Sequence, residues 1–299
     1  MDTKESQARR SPLSTAATGV GVETDAHLGG AVPALPSLLL RTGVAMCFIG
    51  HGCFGILTKA GWVPYFGVVG IGEATAWRLM PWVGAMDLAI GFLAFVWPCR
   101  ALFVWAATWA VWTALLRPIA GQGWSEFFER AGNYGVPLAC LAAVGLAGGG
   151  FTRLPERWSQ SGAAGRRLAW TLRGATATLL LGHAGCALLL AKAGLAKHYA
   201  VLGAGDPATI MNLAGWFEVA LAAAVLARPV PALLLCVAAW KLGTECLFLT
   251  SGAPAPFFEV VERGGSYVAP LALACLLIRN PRPEPVAAAS PSGHQLSHA

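Results

Sequence analysis

Eight apolar runs separated by short polar connections limit what this chain can fold into. They fall at about 36–57, 75–97, 101–117, 134–151, 168–190, 209–227, 230–250 and 266–279. A membrane-crossing helix needs about 20 predominantly apolar residues, within a range of roughly 17–25. Several runs reach that length directly; the third, fourth and eighth do so only by extending into their flanks. Composition points the same way. Only 12% of residues are charged and 56% are hydrophobic, and the mean hydropathy is +0.59. A soluble domain carries about 25% charged residues, so this chain lacks the polar surface a water-facing fold needs. The 12 tryptophans suit the membrane–water interface, where indole rings concentrate. The expectation is an all-α, polytopic membrane protein with eight transmembrane helices, whose principal partner is the lipid bilayer.

The flanks read differently. Residues 1–34 and 281–299 are polar and small, and are expected to be disordered tails. The first lacks the apolar core of a signal peptide. Residues 152–167 read as a linker dividing the chain. With eight spans both tails share one side, which also collects most of the Lys and Arg. The positive-inside rule therefore makes the tails cytoplasmic and the localisation the cell membrane. The net charge of +6 comes from scattered loop anchors, with no basic patch interleaved with aromatics, so no nucleic-acid partner is expected. The eight cysteines contain no C-x-x-C pair and sit mostly in apolar runs, where cysteine acts as a small hydrophobe. Neither dithiol chemistry nor a metal site follows from them.

The chain repeats itself. "RTGVAMCFIGHGCFGILTKAG", from Arg41, is answered by "RGATATLLLGHAGCALLLAKAG", from Arg173. In each copy Arg precedes His by the same interval, a Gly precedes the His, and a Lys-Ala-Gly follows. Asp87 answers Glu218, Pro98 answers Pro229, Trp109 answers Trp240, and "FFERAGNYGVPLA" answers "FFEVVERGGSYVAPLA", all at a nearly constant offset. Such periodicity signals an internal repeat. The chain is expected to be two tandem four-helix bundles, residues 35–151 and 168–280. An even number of helices per unit makes the copies parallel.

The polar residues within the runs are the candidate site. His51 and His183 fall in the outer half of the first helix of each unit. Asp87 and Glu218 fall on the second helices, and Lys241 and Glu245 on the seventh span at similar depth. An ionisable group at the bilayer centre costs about 2.5–3.5 kcal/mol, so it is normally paired or faces an interior. His51 is expected to pair with Asp87 and His183 with Glu218, either for proton or hydrogen-bond chemistry or simply as interhelical bonds. Lys241 and Glu245, spaced i, i+4, can neutralise each other; at those positions the first unit has Ala110 and Ala114. The outer-face loops add Lys59, Glu129, Arg130, Tyr134, Lys192, Glu262, Arg263 and Tyr267. Asn133 and Ser266 read as helix caps, and Arg130 and Arg263 as contacts for an anionic or quinone-like head group. Arg41 and Arg173, near the cytoplasmic ends, are accounted for by snorkelling.

"LLLRTGVAMCFIGHGCFGILTKAG" (38–61) resembles the first helix of DoxX-like membrane proteins, with its early Arg, small and aromatic residues, and closing Gly and Lys. "GAMDLAIGFLAFVWP" and, more closely, "GWFEVALAAAVLARP" resemble that family's second helix, with its acidic residue before an apolar run. The resemblance implies a four-helix membrane bundle, here in tandem, and a membrane component of a quinone- or thiol-linked redox system, with quinone as the cofactor class and a further redox protein as partner. The catalytic residues are not named by it. Haem held by His51 and His183 is a weaker alternative, because these lie on first helices of separate units. A non-enzymatic transporter of small solutes or lipids, or a membrane assembly partner, stays open.

Overall fold

The computed structural model describes residues 35–158, 162–250, 252 and 254–279, and these form one compact body. The expected tails lie outside the described residues. Every regular element among the described residues is helical: α1 Leu35–Ile56, α2 Val63–Val68, α3 Glu73–Val96, α4 Arg100–Ile119, α5 Trp124–Glu129, α6 Ala131–Val144, α7 Gly162–Leu188, α8 Ala193–Ala200, α9 Pro207–Ala227, α10 Pro231–Cys246, α11 Pro256–Glu262 and α12 Gly264–Arg279. Six helical segments are long and apolar enough to cross a membrane, and α7 with α8, bent by 93°, would make a seventh. α6 is shorter than the expected 134–151 because Gly145, at φ 69°, ends it. α7 starts at Gly162, well before the expected 168, and so takes up part of the expected linker.

The core lies along α1, α6, α7 and α12. α12 touches each of the other three, and α6 packs on both α1 and α7. The outer helices attach to these, α3 on α1 and α9 on α7, with α4 on α6 and α10 on α12. Apolar windows on α1 and α11–α12 are 61% buried, against 28–39% on α3, α4, α9 and α10. The outer helices present Trp82, Phe92, Leu213 and Trp216 outward. An apolar exterior of that kind belongs against lipid.

Local geometry explains where the helices stop. α1 and α7 each end in a non-glycine left-handed residue, Thr58 (φ 52°) and Ala191 (φ 42°). Each is followed by an extended lysine, Lys59 (φ −62°, ψ 110°) and Lys192 (φ −60°, ψ 111°). A left-handed residue closes a helix C-terminus, and here it turns the lysine back over the bundle. α9 begins where Asp206 accepts from the Thr209 amide at 2.9 Å and from its hydroxyl at 2.8 Å. The hydroxyl bond, then the amide bond, holds that carboxylate below the usual aspartate range, and Pro207 fills the first helical position.

Arg41 and Arg173 have specific partners on neighbouring helices. Arg41 Nε donates to Ala94 O at 3.0 Å and its Nη2 to Phe95 O; Arg173 Nε donates to Val225 O at 3.0 Å and its Nη2 to Leu226 O. They cap the carbonyl ends of α3 and α9, which have no intrahelical donor. Arg173→Ala should therefore lower stability by about 1.5–3 kcal/mol, the range for hydrogen bonds to a charged group. Thermal unfolding in detergent reads this, and an unchanged midpoint would remove the capping role.

Candidate functional site

Two short corners build the site. α5 gives way to α6 at Arg130 (φ −88°, ψ 12°), and α11 to α12 at Arg263 (φ −88°, ψ 14°). Both arginines occupy the sparsely populated bridge region of backbone space. Each corner carries the pattern Glu-x-x-Glu-Arg, 126–130 and 259–263, and turns its charges inward. Arg130 Nη1 lies 3.1 Å from Glu126 Oε2 and 3.0 Å from Glu129 Oε2; Arg263 Nη1 lies 2.5 Å from Glu259 Oε2. The lysines after α1 and α7 then cross over. Lys59 Nζ is 2.5 Å from Glu259 Oε1, while Lys192 pairs with Glu126. Each lysine reaches the corner in the other half of the chain.

The Gly-His pairs explain how the corners approach so closely. A Cβ on Gly50 would lie 2.4 Å from the Glu262 amide nitrogen, and one on Gly182 would lie 2.0 Å from the Glu129 amide nitrogen. The first helix of each half is pressed backbone to backbone against the corner of the other. The adjacent histidines are thereby placed beside the corner charges.

Between the corners lies a cavity of about 660 Å³, here called the vestibule. Its wall includes the cations Lys59, Arg117, Arg130, Lys192, Lys241 and Arg263 and the acids Glu126, Glu129, Glu245, Glu259 and Glu262. The charges nearly balance. Glu126, Glu129 and Cys186 bring possible metal-ligand atoms within 4.8 Å of one another, but Arg130 and Lys192 already hold these carboxylates. The expected loop residues are thus largely buried at helix corners: Glu129 is 8% exposed and Glu262 3%. Tyr134 and Tyr267 do not line the vestibule. Tyr134 stacks on Phe127 with ring centroids 5.2 Å apart, and Tyr267 donates to Val260 O at 3.0 Å. Asn133 and Ser266 lie inside α6 and α12 and cap nothing, because the helices start earlier, at the arginines.

The two histidines part company. His51 Nδ1 lies 2.8 Å from Asp87 Oδ2, as expected, and its ring lies 4.3 Å from that of Trp62. His183 does not pair with Glu218. Its Nε2 is 3.5 Å from Glu245 Oε1 and 4.0 Å from Glu129 Oε1; both Nε2 and Glu245 Oε1 lack a hydrogen-bond partner. Glu218 is taken by Lys241 Nζ at 3.1 Å and by the Trp240 indole, also at 3.1 Å. Lys241 also lies 3.5 Å from Glu245, and Arg263 Nε lies 3.3 Å from that glutamate. The cause is the asymmetry between the halves. Lys241 stands where the first half has Ala110, and it claims the acid that would otherwise meet His183.

The six intramembrane groups therefore do not share one chamber. His183, Lys241 and Glu245 line the vestibule. His51 instead lines a second, apolar pocket of about 300 Å³ among α1–α4, walled by Trp62, Tyr65, Phe66, Trp82, Trp109 and Trp112. Trp82, 76% exposed, marks its lipid-side mouth. Histidines facing separate cavities are not placed as a bis-His haem site. Trp62, Tyr65 and Arg117 border both spaces; Arg117 donates to the Tyr65 hydroxyl at 2.8 Å, which donates to Gln122 Oε1 at 2.9 Å.

Sequence reasoning missed Glu126, Glu259, Arg117 and the aromatic wall. The first two were within reach. Matching "FFE" to "FFE" shifts the two stretches against each other, whereas matching Glu-x-x-Glu-Arg aligns both corner acids. No protein-family model matches the chain, no curated protein matches it, and no solved structure matches it.

Proposed function

We propose that the chain is a multi-pass membrane protein of two parallel four-helix units, with cytoplasmic ends, and that its first unit binds a small ring-bearing apolar carrier of the quinone class as a membrane component of a redox system. The two-unit reading is supported by matched geometry in the two halves: the capping arginines, the left-handed residues before Lys59 and Lys192, and the corner arginines. It makes α5–α6 and α11–α12 equivalent broken spans, and so gives eight crossings. The DoxX-like resemblance of the first and second helices agrees with it.

The observation that carries the ligand reading is the aromatic pocket with a few polar groups in its wall, His51, Tyr65, Thr113 and Arg117. A volume of about 300 Å³ lies at the lower end of the range for small-molecule sites, which are mostly apolar with a few placed polar groups. His51 donates through Nδ1 to Asp87, which leaves Nε2 to accept from a ligand hydroxyl or, when protonated, to donate to a carbonyl. The ring would lie among indoles, and an isoprenoid tail would leave past Trp82. The chain's own residues bind, orient and exchange a proton; the carrier would supply the redox chemistry.

Ubiquinone-1 should quench the protein's tryptophan fluorescence saturably. His51→Ala should weaken binding by about tenfold or more, the loss of a charge-assisted hydrogen bond, and His183→Ala should leave it unchanged. Equal losses in both variants would move the site out of the first unit. A second reading, a solute transporter, draws on the charged vestibule between parallel units, a known transporter plan. It is favoured if ubiquinone-1 does not bind at all.

A further inference from the structure

We infer that water reaches His51 from the vestibule through a gap beside Trp109, so that the apolar pocket exchanges protons with the vestibule face. This rests on the ligand reading for its use, but the water route stands on separate observations. A gap of about 20 Å³ lies between the two larger spaces. That volume holds a single water. The gap shares Arg117, Arg130 and Glu262 with the vestibule, and His51, Trp109, Thr113 and Arg117 with the apolar pocket.

Two buried donors border this gap without a protein acceptor, the Trp109 indole Nε1 and the Arg117 Nε. An unmet buried donor costs about 1–3 kcal/mol, and buried polar groups are normally satisfied by protein or ordered water. One water accepting from these donors would have Glu262 and the free His51 nitrogen as its own acceptors. His51 is fixed by Asp87 on its other side. Once a ligand has left Nε2, a proton held there can be donated to that water in place of one of its two donors, and the water passes its own proton to Glu262, which borders the vestibule together with Arg117 and Arg130.

The gap has no counterpart role in the second half. Ala110 lines the gap, whereas its counterpart Lys241 and the histidine His183 line the vestibule directly. His183 therefore meets the vestibule without an intervening passage, and the gap serves His51.

The test is exchange of the Trp109 indole proton into D2O, followed by NMR on 15N-tryptophan protein in nanodiscs, with Trp109→Phe identifying the signal. Wild type should exchange, and Ala110→Leu, which fills the gap without lining the apolar pocket, should slow exchange at least tenfold. Asn133→Leu, at another position lining only the gap, serves if Ala110→Leu does not fold. No exchange in the wild type, or equal rates in the plugged variants, overturns the route. Ubiquinone-1 binding is measured on the same samples. Slowed exchange in the plugged variants without binding in the wild type leaves the route standing and removes the ligand reading; binding with unaltered exchange does the reverse.

Discussion

Gly182→Ala should destabilise the protein by about 3 kcal/mol or more, and Gly182→Leu should prevent its accumulation as a folded species. Overpacking a well-filled interior costs roughly 1–3 kcal/mol when side chains can shift. Here the added carbon meets backbone, the Glu129 amide nitrogen at 2.0 Å and the Phe128 carbonyl carbon at 2.3 Å, so no rotamer change relieves it. The α5–α6 corner would have to move, carrying Glu126, Glu129 and Arg130 out of register with Lys192 and His183. Gly50→Ala should act in the same way on Glu262. Detergent-solubilised size exclusion and thermal unfolding read both. A Gly182→Ala protein as stable as wild type would mean that α7 and the corner are not in backbone contact.

Removal of Lys241 should have the second large effect. Its ammonium is fully buried between Glu218 and Glu245. Lys241→Met leaves Glu218 on α9 and Glu245 on α10 without it, and breaking a buried pair in this way costs about 3–5 kcal/mol. Lys241→Met combined with Glu218→Gln should recover part of the loss, because the amide oxygen still accepts from the Trp240 indole and one stranded charge is gone. The unfolding midpoints of the three proteins test this. If the double variant is no more stable than the single one, the cost lies in lost packing and not in the uncompensated acid.

Much of this architecture is legible in the amino-acid order, for physical reasons. Apolar runs of spanning length report the helices because lipid tolerates little else. The paired Gly-His motifs, and the acid on the following span, stand out against apolar surroundings, so they survive reading in one dimension, and Asp87 does meet His51. The partner of His183 does not, because it depends on Lys241, three helices away from α7 in chain order, outcompeting a histidine for Glu218. The corner charges read as loop residues because Glu-Arg followed by a glycine and Asn or Ser looks like a turn before a helix cap; burial comes from the opposite half folding over it. The aromatic pocket is the least legible feature. Its wall combines Trp62 and Tyr65 near the end of α1 with Trp82 from α3 and Trp109 and Trp112 from α4, and no spacing links them.

The most direct test of the ligand reading is photolabelling with an azido-ubiquinone, followed by mass spectrometry of the labelled peptides. The account predicts label within residues 62–83 and 109–117, the two segments that wall the pocket beside His51, and competition by ubiquinone-1. Label confined to the vestibule segments around 190–199 and 244–248, or label that ubiquinone-1 does not displace, would contradict it.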